Sequence, residues 1–199
     1  MFGLAVLVVF GVYLIISFLV VRQAISHARK NGKSAKRWGW GAAFIMYSIV
    51  FWDWIPTVAT HQYYCATEAG FWVYKTPEQW KKENPGVMEA LVANKGAPST
   101  RQGDMKNFTD TYFLNQRINK VVKKAGPLLF NRWRWEQQVI DAKTGEVLAR
   151  NIDFSTGNGN IGGEPPLMFW LQINGCTGNS AINGSEFHAY KSQFSRSQQ

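Results

Sequence analysis

Two cysteines and two histidines are the residues of this chain best suited to chemistry. Cys65 and Cys176 are its only cysteines, and a lone pair in an oxidising compartment reads most simply as a structural disulfide. Closing a loop of about 110 residues would contribute on the order of 4–5 kcal/mol in the chain-entropy model. His61, Cys65, Cys176 and His188 are also the usual soft ligands of zinc. The spacing of His61 and Cys65 puts both on one face of a helical turn. Cys176 and His188 lie far along the chain without a compact ligand pattern, so a disulfide with two surface histidines is the simpler expectation. No metal and no cofactor are expected. A Cys–His nucleophilic pair lacks a recognisable acidic orienting partner, and no catalytic residue is assigned.

Asp53 is the other conspicuous group, the single charge in an apolar stretch from Trp38 to Thr60. An ionisable residue in such a segment is costly at mid-membrane and by default suggests function. Its neighbours Trp52, Trp54 and Pro56 place it near an interface. There it acts as a hydrogen-bonded carboxylate or as a contact for a partner protein. The Gly157–Asn160 run with Gly162 and Gly163 resembles a phosphate cradle in composition only. It lacks the Lys-Ser/Thr ending such a loop requires, so residues 155–163 are expected to form a surface loop. Five tryptophans, Trp72, Trp80, Trp133, Trp135 and Trp170, could line a groove but are expected in the core of a small domain.

The elements that must position these residues begin with two apolar segments. Phe2 to Val21 is uncharged, and each stretch is long enough to cross roughly 30 Å of hydrocarbon at about 1.5 Å per residue. Between them lie Arg22, Arg29, Lys30, Lys33, Lys36 and Arg37 with no acid. A short loop this basic is retained in the cytoplasm. The expectation is a two-pass hairpin in a bacterial inner membrane (helices over 2–21 and 38–60, loop 22–37). Both the N-terminus and the region after His61 then lie in the periplasm. The first helix should continue to Lys30 and stop at Gly32. Gly11, Gly39, Gly41, Ala42 and Ala43 are small enough for close helix packing. Six of the net nine positive charges belong to this loop; the rest of the chain mixes signs, so nucleic acid is not expected as a partner.

Residues 61–190 read as an exported α+β domain with an antiparallel sheet, followed by a polar tail over 191–199. Gly70 to Tyr74 predicts a strand. Thr76-Pro77-Glu78-Gln79 predicts a helix start with a capping box, and Pro85 to Ala93 a second helix. Residues 97–104 look like a loop, and Tyr112 to Val122 leans towards strand through Ile118. From Leu128 to Asp141, Leu129, Trp133, Trp135 and Val139 alternate with Arg132, Arg134 and Glu136. That pattern predicts a strand with one apolar and one charged face. A turn over 141–145 returns it as a strand over 146–154.

The fold class is thus a membrane-anchored α+β protein. The expected function is that of a non-enzymatic interaction or accessory protein of an envelope assembly. Its partners would be the lipid bilayer and a membrane or periplasmic protein, engaged through Asp53 or the face carrying Arg132, Arg134 and Glu136. An exclusion or immunity protein against an incoming toxin or DNA is one alternative. An exported metal protein or enzyme using the Cys/His set is another.

Overall fold

A computed structural model describes residues 2–157, 171–176 and 180–194. The chain divides into two units, Met1–Pro56 and Thr57–Gln199.

The first unit holds helices α1 (Phe2–Lys30) and α2 (Ala35–Phe51). α1 ends where expected. Gly32 takes φ +63°, the Lys33 N–H reaches the Ala28 carbonyl at 2.8 Å, and the Gly32 N–H reaches Arg29 at 3.4 Å, which is the Schellman arrangement. The basic segment is not a loop over 22–37. Only residues 31–34 lie between the helices, so Arg22, Arg29 and Lys30 ride on α1 while Lys36 and Arg37 open α2. All six bases are exposed.

Of the small residues, Gly39 is buried against Ile25, where a Cβ would come within 3.0 Å of the isoleucine side chain. Gly11 and Gly41 have open space around them, so close approach is concentrated at one position. The Tyr13 hydroxyl donates to the Met46 carbonyl across the pair.

α1 is long and apolar enough to cross a membrane by itself. The segment expected as one helix over 38–60 is instead two helices, α2 and α3 (Trp54–Thr67), which meet that test only together and are bent by 56°. The break at Trp52 and Asp53 has a local cause. Pro56 has no N–H to return to the Trp52 carbonyl four residues back, and its ring crowds the same carbonyl.

The second unit is built on a six-stranded antiparallel sheet in the order β1-β6-β5-β4-β3-β2. The strands are β1 (Gly70–Val73), β2 (Ser99–Gly103), β3 (Phe108–Phe113), β4 (Ile118–Leu128), β5 (Arg132–Asp141) and β6 (Val147–Thr156). Helix α4 (Pro77–Glu83) follows β1, and α5 (Ser180–Ser192) closes the described chain. The capping box of α4 is present in full: the Gln79 N–H donates to the Thr76 hydroxyl at 3.2 Å, and the Thr76 N–H donates to the Gln79 side chain at 2.9 Å.

Several expectations fail for definable reasons. Residues 85–93 form only a 3₁₀ turn, Met88–Ala90, because Asn84-Pro85-Gly86 ends α4 and Gly86 takes φ +76°. The loop expected over 97–104 contains β2, an all-exposed polar edge strand, tied to β3 by two Arg101–Asp110 hydrogen bonds of 2.7 Å. Polar edges of this kind resist pairing with other chains, and for the same reason they look like loop in a sequence. Gly103 (φ +104°) turns the chain; a Cβ there would stand 2.2 Å from the Asn107 carbonyl oxygen.

The 112–122 ambiguity resolves into two strands. The Asn115 side chain accepts from the N–H groups of Arg117 and Ile118 and folds the chain between them. Leu129 is exposed in a tight turn before β5 rather than part of its apolar face. Ser155 and Thr156, expected in a loop, end β6.

The main core joins Trp80, Leu114, Ile118, Val139, Leu148 and Ala149 to Phe187, Tyr190 and Phe194 of the C-terminal segment. The polar tail expected after Tyr190 therefore starts later. α5 runs to Ser192, and Phe194 is 2% exposed with its ring edge-on to Trp80. The spacing of Phe187, Tyr190 and Phe194 is a helical stripe hidden in an otherwise polar stretch. Residues 195–199 lie outside the described residues.

Candidate functional site

α3 carries His61 and Cys65 one turn apart, and the segment before α5 brings Cys176 to them. Cys65 and Cys176 form a disulfide, with Cα atoms 5.4 Å apart. Around it pack Tyr64, Ala69, Ile152 and Phe154, so this cystine sits in a small apolar core of its own. His61 is buried, not a surface residue as expected. Its Nε2 donates to the Gly175 carbonyl at 3.1 Å and lies 3.4 Å from the Cys65 sulfur.

The ligand atoms of His61, Cys65 and Cys176 lie within 4.8 Å of one another, whereas His188 is exposed on α5 and is not in this group. With both sulfurs joined to each other, neither offers the thiolate that zinc binds. The arrangement is a histidine-buttressed cystine.

The charged side of β5 is turned inward. Glu136 and Arg132 are both buried, so the face expected to be charged is largely shielded from solvent. Glu136 sits 2.7 Å from both Arg134 and Arg150 and accepts a 2.6 Å hydrogen bond from Gln138. Burial pushes its carboxyl up, but the two guanidiniums and the amide outweigh this and hold it below its ordinary value. Arg132 stacks on Tyr64 with its guanidinium carbon 3.3 Å from the ring centroid. Of this set Arg134 keeps partial exposure. Asp53, in the first unit, is half-buried at the break after α2, and its Oδ1 has no hydrogen-bond partner among the described residues.

The opposite face of the same strands holds a feature that the sequence reading missed. An open cavity of about 570 Å³ is floored by Trp135 and Gln137 of β5 and by Asn151, Asp153 and Ser155 of β6. Gln172 and Asn174, from the segment leading to Cys176, form a wall. The register explains the floor: Trp135 pairs with Asp153, and Gln137 with Asn151, so alternate residues of both strands project together.

Asp153 is fixed by the Cys176 N–H, which donates to its Oδ1 at 3.0 Å. The cystine thus anchors both the wall and the carboxylate. Trp135 is held edge-to-face by Phe108 at 6.2 Å, and the Lys124 ammonium lies 4.8 Å from its ring.

Among the tryptophans, Trp80 and Trp133 are core residues as expected. Trp72 is 39% exposed and Trp135 lines the cavity. Trp170 and residues 158–163 lie outside the described residues. A sequence signal for the cavity existed in Asn151 and Asp153, polar residues at alternate positions of a strand, but it does not distinguish a binding floor from an ordinary solvated face. No family model, curated protein or solved structure matches this chain.

Proposed function

We propose that this is a membrane-anchored accessory protein that displays its second unit outside the cytoplasm for binding, without catalysing a reaction. The observation that carries this reading is the Cys65–Cys176 disulfide in a chain that also has α1, a helix apolar enough to span a bilayer, with six exposed bases along its C-terminal part and just beyond it. A cystine persists in an oxidising compartment, and a basic segment is held on the cytoplasmic side. Together they support an orientation with the second unit outside the cytoplasm.

In the two-pass form of this reading, α2 and α3 serve as one bent span. α2 alone is about 25 Å long at 1.5 Å per residue, short of a hydrocarbon core of roughly 30 Å, and the first turn of α3 supplies the remainder. The host membrane is then a bacterial inner membrane, and the second unit faces the periplasm. The cavity over Trp135, with its amides and single carboxylate among the described lining residues, supports binding as the task.

Thiol labelling in intact cells tests the topology. Cys65 and Cys176 should react with a membrane-impermeant maleimide only after an impermeant reductant is added. A reporter fused after Gln199 should be active only outside. Labelling that requires cell lysis, or a reporter active inside, overturns the reading.

A further inference from the structure

We propose that the cavity over β5 and β6 binds a neutral saccharide, with an apolar face of a sugar ring seated on Trp135 and its hydroxyls held by Gln137, Asn151, Asp153, Gln172 and Asn174. The inference stands on the cavity alone and needs neither the topology nor export. Its volume, about 570 Å³, lies within the range of roughly 300–1,000 Å³ typical of small-molecule sites.

Its lining separates ligand classes. Most small-molecule pockets are walled by aliphatic and aromatic side chains, with few polar groups. Here, among the described lining residues, Trp135 is the only large apolar body and the others are amides, hydroxyls, glycines and one carboxylate. A purely apolar ligand would strip water from these groups without replacing its hydrogen bonds, at a cost of about 1–3 kcal/mol for each one left unpaired.

A sugar matches both parts. Its C–H-bearing face is weakly electropositive and complements the negative face of an indole. Its hydroxyls each donate and accept, as side-chain amides and a carboxylate require.

Asn151 supplies the independent pointer. It lines the cavity, is 5% exposed, and its Oδ1 has no hydrogen-bond partner among the described residues. Buried polar atoms are almost always satisfied; this acceptor is closed to solvent as it stands, so a ligand donor reaches it once the Asn151 amide turns towards the cavity. Preorganisation points the same way. Phe108 and Lys124 fix the Trp135 ring, and the Cys176 N–H fixes Asp153, so little side-chain freedom is lost when a ligand arrives. Asp153 is the one charged group among the described lining residues; it disfavours an acidic sugar, against the pull of the Lys124 ammonium beside the Trp135 ring.

The test uses the full, disulfide-intact chain in a detergent without a sugar headgroup. It is titrated with cellobiose, maltose and N,N′-diacetylchitobiose, with digalacturonate as the acidic counterpart. Saturation-transfer NMR and tryptophan fluorescence report binding. At least one neutral disaccharide should saturate with a millimolar or tighter dissociation constant, weakened about tenfold or more by Trp135→Ala and by Gln172→Ala. Retained circular dichroism and the absence of free thiols show that each variant is folded. If Trp135→Ala fails that check, Gln172→Ala decides alone. No saturation by any neutral probe, affinity unchanged in the folded variants, or digalacturonate binding as tightly as the neutral sugars would each overturn the proposal.

Discussion

Arg117 and Asp141 meet at 2.6 Å, Nε to Oδ1, although one lies in the turn before β4 and the other ends β5. The same carboxylate accepts the Trp80 indole N–H at 2.9 Å and the Lys143 N–H at 2.9 Å. Arg117 in turn donates to Asn84 at the end of α4. One carboxylate therefore ties together α4, the β3–β4 turn and the β5–β6 turn. It is 1% exposed, and removing it leaves the fully buried Trp80 N–H and the mostly buried Arg117 guanidinium without their partner. Asp141→Ala should destabilise the second unit by about 3–5 kcal/mol, the cost of leaving one member of a buried pair alone. Urea melts followed by tryptophan fluorescence measure this; a loss below about 1 kcal/mol would mean that the pair behaves as a surface contact.

Acid should unfold the unit through this carboxylate and two others. At Asp141, burial pushes the carboxyl up, but Arg117 and Trp80 pull it below its ordinary value. Glu136 follows the same pattern, while Asp110 is lowered chiefly by its hydrogen bond to Arg101. Each folded pKa lies below its unfolded counterpart. The contribution is therefore complete above ordinary carboxylate values of about 4 and is lost as pH falls through the lowered ones. Denaturation midpoints should decline gently between pH 7 and about 5, because burial lowers the His61 pKa and its protonation favours the unfolded chain, and fall more steeply below about pH 4. A midpoint that rises on acidification would contradict the sign of all three shifts.

Removing the cystine has a separate cost. The Cys65→Ser, Cys176→Ser double variant should lose about 2–5 kcal/mol, and it should loosen the Gln172–Asn174 wall, because the Cys176 N–H no longer holds Asp153 firmly. Hydrogen exchange localises the effect. Faster exchange at the amides of residue 176 and Ile173, which reach Asp153 and Thr156 in the native chain, is the expected signature. Exchange unchanged at both amides would show that the wall holds without the bond.

Phe194 offers a test of the C-terminal segment. Its ring is buried against Trp80 and Tyr190, and its carbonyl accepts from Asn115 at 2.8 Å. Phe194→Ala should cost about 3–5 kcal/mol, as for other large core truncations, whereas a frayed tail would tolerate the change. Thermal melts of the two proteins side by side decide between these.

Gly103 gives a backbone test. At φ +104°, with the Asn107 carbonyl oxygen 2.2 Å from the site of an added Cβ, Gly103→Ala cannot keep this turn. The edge pair β2–β3 should fray while the core remains. Loss of amide protection confined to residues 99–113 is the expected result, at a cost of about 1–3 kcal/mol; protection spread unchanged across β2 would refute it.

What the sequence determined by itself was local or lacked alternatives. α1 and its stop at Gly32, the Thr76 capping box and the turn over 141–145 follow from propensities within a few residues. The Cys65–Cys176 pairing needed no choice of partner, since there are only two cysteines. The tertiary structure decided everything that depends on which residues face each other across strands. Alternation along β5 showed two faces, but only the pairing with β6 revealed that Glu136 is buried between Arg134 and Arg150, and that Trp135 stands opposite Asp153 over an open cavity. β2 and α5 stayed hidden because their stability comes from partners elsewhere: Asp110 for the strand, Trp80 and Phe71 for the helix. Packing of an amphipathic face, rather than intrinsic propensity, holds most such elements in place.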